Sequence, residues 1–355
     1  MISGACLMPT LRTEASEISV ALGILGLHPH DALTQPDIRR YFSGTLSWPK
    51  YQDFLSEYNR REHLHSRMHR VGTKLRNAEP LFSHVDALRW AGPDRQASTA
   101  SAPADLIVAN TPVSVKADSN VVANPSPHNL IYNLPSGQAF SKNEENWYIE
   151  QDFNGFQLLY DFVRRSHPSL SYLPANAIDF EQGASLQDRN LVQSVIRNYS
   201  DHERHKFIQI YLSMCHTVAQ RSADAFNSRI SASLNSKARV AVTEYLMRWF
   251  FRLDSVSYLL CGIDADQEFA VRIPSLTQWK SEWLLDSIRA VPDLSRRQSV
   301  VNFKLHFIDR NNQRSFTAPF HTELRWSHGR FCGSPEAKLY KDFHWRDLPF
   351  FNILV

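Results

Sequence analysis

Asp105, Ser114 and Lys116, in the stretch ADLIVANTPVSVK, are the side chains of this chain whose types and spacing best suit a chemical task. A carboxylate of this kind can hold a divalent cation against a phosphodiester. The cation then neutralises charge on the phosphoryl oxygens and acidifies a water molecule. A neighbouring lysine can orient that water or offset the charge that builds up in the transition state. Magnesium suits the task, because it takes oxygen ligands and keeps several waters. Asp105, the backbone carbonyl of Val115 and one further carboxylate would be enough to hold it.

The elements around these residues read as a hairpin. LIV and VSV are short apolar runs joined by a polar link, Ala109 to Pro112. That link places Val108 opposite Val113 and Asp105 opposite Lys116. Side chains alternate along a strand and paired residues share a face. Asp105, Ser114 and Lys116 are therefore expected on one face, and Leu106, Val108, Val113 and Val115 on the other, in a core. An ordinary hairpin with an exposed Asp105–Lys116 pair, contributing only a few tenths of a kcal/mol, roughly, is the bland alternative.

Asp105 followed by Ser114-Val115-Lys116 resembles the active-site motif of the PD-(D/E)xK nucleases, a superfamily that includes many restriction endonucleases. Its members place an aspartate near the start of one strand and Glu-x-Lys or Asp-x-Lys on the next. Here Ala104 precedes the aspartate, with Pro103 one place earlier, and Ser114 stands where the second acid is usual. Some restriction enzymes are similar in carrying Ser-x-Lys and bringing a glutamate from elsewhere. The resemblance implies an α/β (mixed α+β) fold, a restriction-endonuclease-like central mixed sheet flanked by helices. To this the length of the chain adds a large helical insertion or second subdomain. It further implies a magnesium-dependent endonuclease acting on double-stranded DNA, of the type II restriction class, often as a homodimer. Glu79 and Asp118 are the first candidates for the missing metal ligand. Asp118 would follow Ser114 and Lys116 on the same strand face. Glu62, Glu144, Glu145 and Glu150 come after them.

Four segments follow from composition and pattern: an N-terminal helical part (1–49), a core with a basic helix and the hairpin (50–140), a mainly helical region (141–295) and a strand-rich end (296–355). Within the third, 236–260 and 275–290 both read as helices. Val301, Phe303, Leu305 and Phe307 alternate as one strand face, and Glu323 and Arg325 share a face opposite Leu324 and Trp326. Glu336-Ala337-Lys338 follows Gly333-Ser334-Pro335 and reads as a turn or helix start rather than a strand.

DNA contacts are expected from Arg67, Arg70 and Lys74 of the basic helix, which could neutralise phosphates. Asn120, Asn124 and His128 of the polar connection, and Arg310, Arg314, Arg325 and Arg330 near the C-terminus, are candidate base or backbone contacts. His65 and His69 have metal-ligand spacing but no obvious third partner.

The chain has 355 residues, 43% hydrophobic and 21% charged, with a formal charge of +3. Such a composition permits a sizeable core and excludes global disorder. Four scattered cysteines suit a reducing compartment. With no signal peptide or membrane span in the pattern, a cytoplasmic protein is expected. No GxxxxGK loop points to ATP, and no Gly-x-Ser-x-Gly elbow points to a serine hydrolase. The competing classes are a DNA-binding protein of similar fold without catalysis, favoured by the missing acid, and a protein-interaction module, favoured by the aromatic tail.

Overall fold

The computed structural model describes residues 11–92, 104–132, 146–234, 237–327 and 329–355. The architecture is mixed α and β, with two sheets among these residues. The N-terminal part supplies α1 (Leu11–Leu25), α2 (Gln35–Tyr41), α3 (Trp48–Arg60) and α4 (Glu62–Ala78). Strands β1 (Arg89–Trp90), β2 (Leu106–Val108), β3 (Thr111–Ala117) and β4 (Val121–Ala123) follow. Then come α5 (Pro127–Ile131), α6 (Trp147–Ser166), α7 (Ala177–Gly183), α8 (Leu186–Arg197), α9 (Asp201–Leu234) and α10 (Arg239–Phe251). The chain returns to strands in β5 (Tyr258–Asp264) and β6 (Gln267–Ile273). After α11 (Leu276–Glu282) it runs through β7 (Trp283–Pro292), β8 (Ser299–Asp309), β9 (Ser315–Arg325), β10 (Glu336–Lys341) and β11 (Asn352–Ile353).

The first sheet has the order β1-β2-β3-β5-β6-β11. Its pairs are antiparallel except β3 with β5, which run parallel and are joined by the helical crossover α5 to α10. A parallel pair needs such a crossover, since no tight turn can return the chain to the same end. The second sheet, β4-β10-β9-β8-β7, is antiparallel throughout.

Two apolar cores lie on opposite faces of the first sheet. Leu106, Val108, Val113, Val115, Leu259 and Cys261 pack under α1, α3 and α4. Leu260, Phe269 and Val271 face the other core, which they share with α6, α9, α10 and the inner face of the second sheet. Both faces of β5 are thus buried, which explains why YLLCGI is a continuous apolar run. The helices α1 and α4 cross in close contact. A Cβ at Gly23 would lie 2.2 Å from the carbonyl oxygen of His69, and one at Gly72 would lie 2.1 Å from that of Val20.

Val301, Phe303, Leu305 and Phe307 are buried on one face of β8, as their alternation requires. Thr34 starts α2 through a capping box with Asp37. Other expectations give way. The helix read over 236–260 ends at Phe251 with Arg252 left-handed, and its last residues form β5. Helix over 275–290 holds only to Glu282, after which the chain extends as β7. Glu336-Ala337-Lys338 is strand rather than turn, because Pro335 stands just before β10, where no ladder donor is lost.

Gly262 allows β5 to approach β3. It has φ +148°, and a Cβ there would lie 1.8 Å from the carbonyl oxygen of Lys116, its register partner. Gly262→Ala is expected to lower stability by about 2–3 kcal/mol, read as a lower Tm. An unchanged Tm would contradict this account of the contact.

His65 carries a pH dependence. It is buried in the α1–α3–α4 layer, stacked on Tyr58, and neither ring nitrogen has a hydrogen-bond partner among the described residues. Burial lowers its pKa from 6.5 to about 4. Between those values the unfolded chain binds a proton that the folded chain does not. Stability therefore falls as pH drops from 6.5 towards 4 and levels off below. The loss amounts to about 3 kcal/mol. His65→Leu should remove this component of the slope in denaturant titrations across that range.

Candidate active site

The hairpin of β2 and β3 is tighter than the sequence suggests. Ala109 and Asn110 both have positive φ, 46° and 64°, and form the whole two-residue turn. Thr111 and Pro112 belong to β3, and the register pairs Val108 with Thr111 and Leu106 with Val113. This is a shift of two from the expected pairing, so the faces stay as assigned, but Asp105 comes opposite Ser114 rather than Lys116.

Asp105 stands one residue before β2 and is buried. Its backbone N–H donates to the Val113 carbonyl at 2.8 Å, and its own carbonyl accepts from Ala91 at 2.9 Å. Its carboxylate continues the ladder beyond the end of the strand. Oδ2 accepts from the Val115 N–H at 2.5 Å and from the Ser114 hydroxyl at 3.3 Å. Ser114 is buried and Lys116, two residues on along the same face, is half-buried. Across from them on β5 lie Leu260 and Gly262. The negative charge of Asp105 adds to burial in raising the Cys261 thiol. Burial, with a further contribution from Asp105, pushes the Tyr258 hydroxyl up to about 12.

Neither proposed second acid joins this group. Glu79 caps the end of α4 and is bound to the guanidinium of Arg272. Arg272 pairs with Leu259, which pairs with Val113, so it projects on the face away from Ser114. Asp118 leaves the strand with φ 56°, and its N–H donates to the Ile263 carbonyl at 2.9 Å. The left-handed turn breaks the alternation, and Asp118 is exposed in a cleft beside Arg60 and Arg61. Among the described residues, no three His, Cys, Asp or Glu side chains gather to hold a metal ion. Glu144 and Glu145 lie outside the described residues. Glu150 is bound to His128.

The expected DNA contacts divide into two sets. Arg67, Arg70 and Lys74 face β6 and are neutralised there. Arg67 bonds Asp266 at 3.2 Å, while Arg70 and Lys74 each reach Glu268 at 2.9 Å. These cations, against the opposing effect of burial, hold the Glu268 carboxyl below its usual range. His128 meets Glu150 at 2.5 Å and packs edge-on against Trp147. The Asn120 carbonyl accepts from the backbone of Lys341 at 3.0 Å. Arg325 reaches Glu323 at 3.2 Å, and Arg330 lies over the rings of Phe207 and Tyr211. Asn124, Arg310 and Arg314 are exposed. Arg310 and Arg314 sit at the β8–β9 tip, where Arg310 Nε donates to the Trp283 carbonyl at 3.2 Å.

A buried ion pair escaped the sequence reading. Lys341 Nζ lies 2.7 and 2.8 Å from the two oxygens of Asp264 and 2.7 Å from the Phe343 carbonyl. It joins β5 of the first sheet to β10 of the second. No local spacing announces it, because the partners are far apart in the chain.

No family model, no curated protein and no solved structure matches the chain. No helix among the described residues is long and apolar enough to cross a membrane.

Proposed function

We propose that this protein is a magnesium-dependent endodeoxyribonuclease with a restriction-endonuclease-like core, acting on specific double-stranded DNA. The observation that carries the reading is the direct contact of the Asp105 carboxylate with Ser114 and Val115, with Lys116 next on the same face. The mixed sheet beneath them, with β3 and β5 parallel and helices on its faces, supports the fold that the resemblance implies.

The atoms at Asp105 able to ligate an ion are its carboxylate oxygens and the Ser114 hydroxyl, which suits magnesium. With one described carboxylate the site fits an ion that arrives with the substrate, since magnesium is commonly held by one or two carboxylates plus phosphate oxygens. Asp105 would hold it, with Ser114 and the Val115 carbonyl as neighbours. When bound, the ion would neutralise phosphoryl charge and acidify water. Lys116 places its ammonium beside the scissile phosphate, where it orients the attacking water and offsets developing charge. Ser114 and the Val115 N–H fix the carboxylate so that little reorganisation is needed during reaction. A weak affinity for magnesium in the absence of DNA is expected by calorimetry. Tight binding to the free protein would point to a second acid ligand.

Binding without cleavage is the second reading. It is favoured by the same contacts, because a carboxylate engaged by Ser114 and Val115 also serves as a strand-end cap. Digestion of mixed-sequence plasmid and genomic DNA separates the two. Discrete fragments that need magnesium support the nuclease, and intact DNA retained on the protein supports the binder.

A further inference from the structure

An open cleft of about 430 Å³ lies between the start of α1, the corner where α3 meets α4, and the carboxyl ends of β3 and β5. Ligands of open α/β sheets favour the carboxyl ends of parallel strands. Arg12, Arg60, Arg61 and Arg67 line this cleft, with Asp118 and Asp266 on the strand side.

The charges do not cancel on the helix side. Arg67 is matched by Asp266. Arg60 and Arg61 share one buried carboxylate, Glu57. Arg12 has no carboxylate partner among the described residues, and its Nε is buried without a hydrogen bond. Behind this wall stands His65, fully buried with both ring nitrogens unpartnered.

The start of α4 opens into the same cleft through Glu62, His63 and Leu64. Arg61 occupies the cap position and gives no side-chain cap. The amides of Leu64 and His65 return to the Arg61 carbonyl, at 3.0 and 3.1 Å. Those of Glu62 and His63 have no partner among the described residues. Free amides at a helix start and forked guanidinium groups are the two donor types that recognise phosphate best.

We propose that this cleft binds a phosphate group, gripped by Arg12, Arg60, Arg61 and the first amides of α4. The site is separate from Asp105 and does not depend on its role. Asp118 and Glu62, both exposed in the cleft, oppose the anion and set the strength of the grip.

Isothermal calorimetry on the full chain, with chelator present, tests this with inorganic phosphate and with an oligonucleotide carrying either a 5′-phosphate or a 5′-hydroxyl. Saturable binding of inorganic phosphate is expected. Arg12→Ala and Arg61→Ala should each weaken it about tenfold or more, the loss of a charge-assisted bond. Asp118→Asn should tighten it, and Asp105→Asn should leave it unchanged. Preference for the 5′-phosphate strand would identify a strand end as the source. Equal binding of both strands, competed by phosphate, would identify a backbone phosphodiester. Arg60→Gln, at a side chain 63% exposed, provides a variant whose folding is not at stake. The proposal is overturned if no probe binds saturably, or if folded Arg60→Gln, Arg12→Ala and Arg61→Ala proteins all bind phosphate as the parent does.

Discussion

Lys341→Met is expected to destabilise the protein by about 3–5 kcal/mol, because it leaves the Asp264 carboxylate buried without its partner. The two side chains are 1% and 6% exposed, so solvent cannot take over the lost interaction. Lys341 also donates to the Phe343 carbonyl, and Asp264 accepts from the Trp345 N–H at 3.3 Å. Removing the ammonium therefore unpairs acceptors on Asp264, on the Phe343 carbonyl and, at 3.4 Å, on the Asn120 side chain. Asp264→Asn should cost less, since an amide can keep the Trp345 bond and accept from Lys341. Replacing both, as Asp264→Leu with Lys341→Met, should recover much of the loss, because a buried pair is often matched by apolar residues of similar volume. Denaturant midpoints of the three variants check this. A single Lys341→Met variant as stable as the parent would show that the pair does not join the sheets.

Lys116→Ala should reduce the rate of DNA cleavage by about a hundred- to ten-thousandfold while leaving DNA retention largely intact. Lys116 is half-buried on the Ser114 face, and on the proposed reading it acts as a local charge at the phosphate rather than as part of a broad electrostatic surface. A loss confined to turnover fits that place, whereas parallel loss of turnover and retention would make it a binding contact. Lys116→Arg keeps the charge but changes its shape, and should leave retention intact while restoring the rate only in part. Single-turnover kinetics and filter binding on the same preparations give the two quantities.

The face pattern of the hairpin was legible because alternation survives a shift of two residues. Leu106, Val108 and Val113 are in the core whichever turn is chosen. The turn itself was not, since Ala109-Asn110 lacks the glycine that usually marks two left-handed residues. β5 was hidden for a different reason. A strand buried on both faces has no alternation, and Tyr258-Leu259-Leu260 follows an apolar helix with only a short break. The basic helix was read correctly as a helix in part, with a break at Arg61, but not as an internal interface. Its counterions, Asp266 in the β5–β6 turn and Glu268 on β6, come close only through tertiary packing. The same holds for Glu79 and Arg272, and for Lys341 and Asp264. Arg12, Arg60 and Arg61 carry no motif, and only the folding of α1 onto the α3–α4 corner brings them to one cleft.

On the proposed function, the Asp105 carboxylate, held by Ser114 and Val115, supports hydrolysis of a phosphodiester. Asp105→Asn tests it most directly, since the amide oxygen can keep both hydrogen bonds and the fold while the charge is lost. Supercoiled plasmid should be incubated in magnesium with the parent and the variant side by side, and scored for relaxed and linear forms. The parent should convert the plasmid, and Asp105→Asn should leave it supercoiled. Equal conversion by both proteins, or none by either, would contradict the proposed function.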